Sequence, residues 1–223
     1  MAITPTWILC TYRTGSTFLA KSLNDTNLFD PHFKEHFKKH QIKSGMYNDG
    51  VPQFAKVHRD LFLNLFDDTY DNKNIHEINK IFPDIKFIHL RRKNIVDQAI
   101  SHYISHATHK YVIFDKKELK EFQNININFD AKEIYRLYKN IKKNYDAWLP
   151  FLSHQKYIDV YYEDLVRNSK EIFDEIMKFI GIENTDGLTF ESYTYKQKHP
   201  QKDDIEQNFL KYLRQRRKRR RKL

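Results

Sequence analysis

The sequence contains a single cysteine, Cys10, among its 223 residues. One cysteine excludes a disulfide within the chain and favours a reducing compartment, for which we predict the cytoplasm. Long apolar runs are also lacking, since none approaches the roughly 20 residues of a membrane-spanning helix. The first apolar run is short and leads directly into a polar turn, so we expect no signal peptide. With 17 Phe and 14 Tyr, the composition is that of a folded chain of single-domain size.

The formal net charge is +10, but much of it lies at one end of the sequence. The segment 214–223 carries eight positive charges, which leaves about +2 for the rest. A body of that charge is not by itself a nucleic-acid-binding surface. We therefore predict one domain over 1–213, and a solvated, partly frayed basic tail over 214–223. Weak contact of the tail with anionic polymers or a membrane surface is the alternative.

The stretch from Trp7 to Leu23 reads as a short strand, a tight polar turn and an amphipathic helix. A helix that begins directly after a strand leaves its first N–H groups free, and together with the helix dipole they form an anion site. Arg13, Thr14, Ser16 and Thr17 add side-chain donors around the backbone of Gly15. This turn is the predicted phosphate-binding loop.

The loop lacks the lysine of nucleotide-hydrolase phosphate loops, whose pattern is G-x-x-x-x-G-K-[ST]. Cys10 stands in place of the first glycine and Ser16 in place of the lysine. Because that lysine contacts the β- and γ-phosphates, its absence argues against triphosphate chemistry. The cation has moved to Arg13, so we predict a loop that holds one 5′-phosphate without a metal.

Strands alternate with helices along the rest of the chain, and hairpin signals are missing. This order predicts an α/β fold, a three-layer sandwich on a central parallel sheet with a P-loop-like topology. The segment 112–130 has no stable period, and we interpret it as an insertion or lid. The predicted elements are strands at Val51–His58, Ile85–Leu90 and Tyr157–Tyr161, and helices from Asn74 to Phe82, from Ile95 after an Asn94 cap, from Asp130, from Ser169 to Ile180 and from Asp203 to Tyr212.

Three predicted strand ends carry the chemistry: the loop, the pair Lys56 and His58, and Arg91-Arg92. In parallel sheets, ligands bind at the carboxyl ends of the strands. Arg92, with Ser101 in the following helix, could hold a second phosphate, which suggests a nucleotide with phosphates at both ends of one ribose. Alternatively, Arg91 and Arg92 only pair with carboxylates. A stripe of His32, His36 and His40 is crowded by lysines, and we predict no metal site.

These motifs together resemble the sulfotransferases that use 3′-phosphoadenosine 5′-phosphosulfate. Residues 11–17 are similar to their 5′-phosphosulfate loop, and residues 88–92 with 98–101 to their 3′-phosphate element. Residues 160–165 are similar to a segment whose tyrosine, here Tyr162, lies near the adenine. Residues 34–37 and the Arg-Arg pair resemble the bacterial trehalose and glycolipid subgroup. The resemblance implies a metal-free sulfotransferase with a carbohydrate or other small acceptor, whose nucleotide product is adenosine 3′,5′-bisphosphate.

The resemblance also implies roles for individual residues. Glu35 matches the general base of the bacterial subgroup, whereas His58 matches the base of the cytosolic enzymes, and we favour Glu35. Arg13 and Lys56 would stabilise charge on the transferred group. The C-terminal cofactor loop of the family is missing, and Lys196 is a candidate to replace it. We expect no specific nucleic-acid partner, and the motifs are compatible with a homodimer.

Two other functions remain open at the level of sequence. A small P-loop kinase of a nucleoside or metabolite requires a loop lysine and an acidic metal ligand, and neither is found in place. A non-catalytic protein that binds RNA or another polyanion would act through the basic tail. It would leave the ordered motifs unexplained.

Overall fold

The computed structural model describes residues 5–26, 28, 54–58, 84–188, 190 and 197–220. The described part forms two compact units. The first comprises residues 1–93 and 144–192, and the second comprises residues 94–143 and 193–223. The predicted helix at Asn74–Phe82 and the histidine stripe lie outside the described residues, as do Glu35 and Lys196.

The first unit is built on a parallel sheet of four strands in the order β2-β1-β3-β4. The strands are β1 (Thr6–Cys10), β2 (Phe54–His58), β3 (Lys86–Arg91) and β4 (Lys156–Tyr161). The register places Ile8 between Lys56 and Ile88, and His89 beside Asp159. The α/β class and the parallel sheet predicted from the alternating elements are confirmed.

Strand β1 lies at the point where the chain changes direction across the sheet. From β1 the chain adds β2 on one side and then returns to add β3 on the other side. At such a switch point, the loops that follow neighbouring strands leave in opposite directions and open a crevice beyond the carboxyl ends. The segment directly after β1 therefore begins at the usual ligand crevice of this fold.

Apolar side chains cover both faces of this sheet. On one face, Ile8, Ile88 and Val160 pack with apolar residues of α1 (Ser16–Asn24) and α6 (Ser169–Ile180). On the other face, Phe87 contacts Phe151 edge to face at 5.1 Å, near the end of α4 (Ala131–Leu152). Within this unit, helices therefore pack on both faces of the sheet. The short α5 (Tyr162–Arg167) continues directly from β4.

The second unit is helical. It contains α2 (Ile95–Thr108), α3 (Lys116–Asn124), residues 131–143 of α4, and α7 (Lys202–Arg220). An ion pair between Lys202 and Asp97 joins the first turns of α7 and α2. The segment 112–130, interpreted as an insertion or lid, contains α3. The basic tail expected to fray continues α7 as helix to Arg220.

Helix boundaries follow the predicted capping chemistry where it could be recognised. The Asn94 side chain accepts a 2.9 Å hydrogen bond from the backbone N–H of Asp97, as expected for an N-cap. Asp130 accepts bonds from the N–H groups of Lys132 and Glu133 at the start of α4. Gly181 ends α6 in the left-handed conformation, at φ +101°. Among the described residues, no helix is long and apolar enough to cross a membrane.

Candidate active site

The loop after β1 carries two residues with positive φ. Arg13 has φ +64° and Gly15, the N-cap of α1, has φ +87°. A non-glycine residue in this region stores backbone strain, and such positions concentrate at functional sites. The first turn of α1 contains no acidic residue, so no carboxylate of that turn competes with an anion for its N–H groups. A turn of this geometry is suited to an anion.

The hydroxyl groups of Thr14 and Thr17 make different hydrogen bonds. Thr14 is fully buried, and its hydroxyl donates a 3.0 Å hydrogen bond to the carbonyl of Thr11. Thr14 therefore ties the turn together from within. Thr17 Oγ1 instead accepts a 3.1 Å hydrogen bond from Lys56 Nζ, and Ser16 is buried in the first turn of α1.

Lys56 supplies a cation that the loop itself does not encode. It extends from β2, which pairs directly with β1, and only 2% of it is exposed. Its ammonium reaches the first turn of α1 through the bond to Thr17. Nucleotide hydrolases have a lysine at the position of Ser16. Here the lysine that reaches the first turn of α1 comes from the neighbouring strand β2 instead.

His58 lies at the end of β2, opposite Cys10. The ring of Tyr12 stacks on the imidazole with centroids 4.7 Å apart and planes 20° apart, and the Cys10 sulfur lies 3.9 Å from Nδ1. Tyr12 received no role from the sequence. The only sequence signal for Tyr12 is its position in the loop, two residues after β1, which pairs with β2.

Arg92 and Tyr162 bring a third cation to the loop, after Arg13 and Lys56. The guanidinium of Arg92 lies 4.3 Å from the ring centroid of Tyr162, at the start of α5. The same ring lies against Gly15, where an added Cβ would meet ring carbons at 2.2 and 2.6 Å. The backbone N–H of Arg92 donates to the Tyr145 hydroxyl at 3.0 Å. Gly15, Tyr162 and Arg92 therefore form one continuous stack.

Arg91 has a different role from its neighbour. Its Nη2 lies 2.9 Å from Asp159 Oδ1, and it donates to the Tyr161 hydroxyl at 2.9 Å. The carboxylate pairing proposed as the alternative for both arginines is therefore observed for Arg91, whereas Arg92, the first residue after β3, stacks on Tyr162.

Asp159 also accepts a 2.9 Å hydrogen bond from Nδ1 of the fully buried His89. Burial lowers the pKa of His89 more than the bond to Asp159 raises it. Burial raises the pKa of Asp159, but the His89 bond and the Arg91 charge outweigh it, so this pKa lies below its usual value. A neutral His89 bonded to an ionised Asp159 holds β3 against β4 just before Arg92.

Of the predicted site residues, the structure brings together Lys56 with Thr17, and Arg92 with Tyr162 and Gly15. Ser101 lies half-buried on α2 in the second unit. Glu35 and Lys196 lie outside the described residues. Within the described ranges, no cluster of three or more His, Cys, Asp or Glu could hold a metal ion.

The first unit is therefore an α/β fold on a parallel sheet, with a helix that begins shortly after the switch-point strand. The model of the Sulfotransferase family matches residues 51–186, more than half of the chain. The chain therefore belongs to the sulfotransferase family, a family of transferases. The match includes Lys56, His58, Arg92 and Tyr162, and it begins after the loop at residues 11–17.

Three solved structures show distant likeness to the chain. A sulfotransferase from Alicyclobacillus acidocaldarius is 12% identical with a TM-score of 0.48, over 94% of this chain and 92% of that one. The sulfotransferase domain of the Synechococcus PCC 7002 olefin synthase is 16% identical with a TM-score of 0.40, over 83% and 77%. A sulfotransferase from Mycobacterium avium is 12% identical with a TM-score of 0.42, over 95% and 69%. No curated protein matches the chain significantly. The family assignment rests on the family model.

Proposed function

We propose that the protein transfers a sulfuryl group from 3′-phosphoadenosine 5′-phosphosulfate to a hydroxyl of a carbohydrate or glycolipid. The observation that supports this function is the convergence of cations on one loop. Arg13 lies in the loop, Lys56 contacts Thr17 in the first turn of α1, and Arg92 stacks on the ring that covers Gly15. The carbohydrate acceptor follows from the resemblance of residues 34–37 and of the Arg-Arg pair to the bacterial carbohydrate enzymes.

The donor set suits a nucleotide with several anionic groups. Guanidinium, ammonium, hydroxyl and helix N–H groups are all donors to phosphate or sulfate oxygens. The phosphosulfate supplies an activated sulfuryl group, and the protein supplies position and charge. Arg13 and Lys56 would hold the sulfuryl oxygens and the 5′-phosphate, and both stabilise charge that grows as the bond to the leaving phosphate breaks.

The remaining predicted residues would choose the nucleotide. Arg92 and Ser101 are assigned to the 3′-phosphate, which distinguishes this nucleotide from ADP and ATP. Tyr162 is assigned to the adenine side, and Lys196 to closure over the cofactor. Glu35, or alternatively His58, would accept the proton of the acceptor hydroxyl as the new S–O bond forms.

The first experiment is a thermal-shift titration with adenosine 3′,5′-bisphosphate, beside ADP and ATP with magnesium. A ligand at 100 times its Kd stabilises the folded state by about 2.7 kcal/mol, which corresponds to roughly 5 to 10 °C for a chain of this size. We expect this shift with the bisphosphate and a much smaller one with ADP. A shift only with ATP and magnesium would instead establish the kinase.

Arginine variants test the assignment of the two cations. Arg13→Ala should abolish transfer, whereas Arg92→Ala should mainly raise the KM for the cofactor and remove the preference for the bisphosphate over ADP. Arg167→Ala is the matched control, because this exposed arginine lies on the same helix as Tyr162. Turnover of Arg13→Ala above about a tenth of the wild-type value would refute its role, since a group that stabilises the transition state contributes about 10²-fold or more.

A further inference from the structure

The two units differ strongly in charge. The second unit contains 21 Lys and Arg residues against 9 Asp and Glu, a net charge of +12. The first unit, which contains the phosphate loop, has 18 against 20, a net charge of −2. The positive excess of the chain therefore belongs entirely to the helical unit, and of the cations of that unit only Lys196 is assigned to the nucleotide.

Part of this charge forms an ordered surface on α7. At 3.6 residues per turn, four of its cations fall within an arc of about 120°. All four are exposed. The opposite side of the helix is anchored, because the guanidinium of Arg216 lies 4.4 Å from the ring centroid of Tyr135, which also contacts Tyr212. We call the four residues the cationic stripe: Lys211, Arg214, Arg217 and Lys218.

The helix itself provides no counter-charge for the stripe. The last acidic residue of α7 is Glu206, five positions before Lys211. Arg214 has like charges at i+3 and i+4, a spacing that destabilises a helix. Across the described ranges, no ion pair joins any of the four cations to a carboxylate. An external anion would relieve this repulsion.

The chemistry of the stripe restricts the class of partner. Its side chains are all charged, so it offers no aromatic platform for unpaired bases and no apolar group for insertion into a bilayer. The rings of α7 are elsewhere: Phe209 is buried and Tyr212 packs near Tyr135. The stripe extends for roughly 10 Å along the helix axis. This shape suits a linear polymer whose anionic groups repeat along its length.

We propose that the cationic stripe binds an anionic polysaccharide, which carries the acceptor hydroxyls for the enzyme. The identification of the polymer as a glycan rests on the proposed function, which requires a hydroxyl-bearing acceptor. The guanidinium groups of Arg214 and Arg217 can pair with carboxylate or sulfate oxygens in a bidentate manner. The cationic stripe would hold the polymer, and the phosphate loop of the first unit would hold the sulfuryl donor.

The test is a fluorescence-anisotropy titration of the full chain with labelled polygalacturonate over a range of salt concentrations. Neutral dextran, a short duplex RNA and phosphatidylserine vesicles serve as competitors. Two variants each lose four positive charges from the second unit. In the stripe variant, four residues become glutamine: Lys211, Arg214, Arg217 and Lys218. In the control variant, four exposed lysines of α4 become glutamine: Lys132, Lys139, Lys142 and Lys143.

The stripe variant should bind polygalacturonate at least about tenfold more weakly, with a salt slope shallower by about three, because four counterion-releasing contacts are removed. The control variant should stay within about twofold of the wild type, since it retains the stripe. Equal losses in the two variants would overturn the proposal. So would stronger competition by RNA or vesicles than by unlabelled polygalacturonate, or competition by dextran as strong as by polygalacturonate.

The bisphosphate titration keeps this inference separate from the proposed function. The stripe variant should retain full stabilisation by adenosine 3′,5′-bisphosphate, because none of its four substituted residues is assigned to the nucleotide. If the bisphosphate fails to stabilise even the wild type, the proposed function is refuted. The polygalacturonate titration requires no nucleotide, so in that case it would still test whether the stripe binds the polymer. The role of the polymer as the sulfuryl acceptor would be refuted together with the proposed function.

Discussion

Replacement of Gly15 by alanine tests how tightly the phosphate loop is built. Gly15 has φ +87°, and the position of an added Cβ lies 2.2 Å from a ring carbon of Tyr162. Two effects therefore act against a side chain here. The left-handed backbone disfavours any L residue, and the aromatic ring occupies the space that the methyl group needs.

The two effects can be given magnitudes. A positive φ costs an alanine about 1 to 2 kcal/mol. The ring of Tyr162 must also move, and overpacking of this kind costs about 1 to 3 kcal/mol. We therefore expect Gly15→Ala to lower the free energy of unfolding by about 2 to 5 kcal/mol. Gly187→Ala is the matched control, because Gly187 has φ +79° but nothing within 4 Å of its added Cβ. Gly187→Ala should therefore lower the free energy of unfolding only by the backbone contribution of about 1 to 2 kcal/mol.

Urea denaturation followed by tryptophan fluorescence measures this difference. Both tryptophans of the chain, Trp7 and Trp148, are buried in the first unit, which also contains both glycines. The signal therefore reports on the unit that is perturbed. The measured quantity is the free energy of unfolding of each alanine variant relative to the wild type.

A double-mutant cycle separates the contact with the ring from the backbone effect. Tyr162→Ala should remove the clash, so that Gly15→Ala costs about 1 to 3 kcal/mol less in its presence. No such coupling should exist between Tyr162 and Gly187. If Gly15→Ala destabilises no more than Gly187→Ala, or if the cycle shows no coupling, the ring does not rest on the loop glycine in solution.

Two further predictions concern titratable residues. Because the pKa of His89 is lowered in the folded state, the unfolded chain takes up the proton first, and stability should fall as the pH drops below about 6.5. Urea denaturation across this pH range should show that the free energy of unfolding depends less on pH in His89→Gln than in the wild type. The exposed control His154→Gln should show the same pH dependence as the wild type. The same pH dependence in all three proteins would contradict the assignment. For the proton acceptor of the proposed transfer, Glu35→Gln should reduce kcat by about 10²- to 10⁴-fold. A comparable loss in His58→Asn, with Glu35→Gln near wild type, would assign the base to His58 instead.

Much of the fold could be read from local sequence signals. The N-cap at Asn94 and the helix end at Gly181 follow from side-chain chemistry within a few residues, and both are confirmed. The start of α3 carried such a signal too, since Asp115 accepts from the N–H of Glu118, and Glu118 accepts from that of Phe114. This capping pattern was missed because α3 buries only Phe122, so the segment shows no apolar period.

The site depended on contacts that sequence order does not reveal. The different surroundings of Arg91 and Arg92 require the register of β3 with β4, which places Asp159 beside His89. The contact of Lys56 with Thr17 requires β2 to pair with β1 across more than 40 residues. Residues of the phosphate loop could be named from their types, but the ring that packs on Gly15 comes from a strand end about 150 residues later. Pairings at that distance are set by the whole sheet.

The strand order also has a consequence for how the chain folds during synthesis. Strand β1 is central and fully buried, yet its inner partner β3 begins 80 residues later, at the pair Thr6 and Lys86. At about 5 to 20 residues per second, the ribosome needs roughly 4 to 16 s to produce that partner. During this interval the apolar segment of β1 has no completed sheet to join. The strand that precedes the phosphate loop is therefore exposed to aggregation or to chaperones for several seconds of synthesis before its inner partner exists.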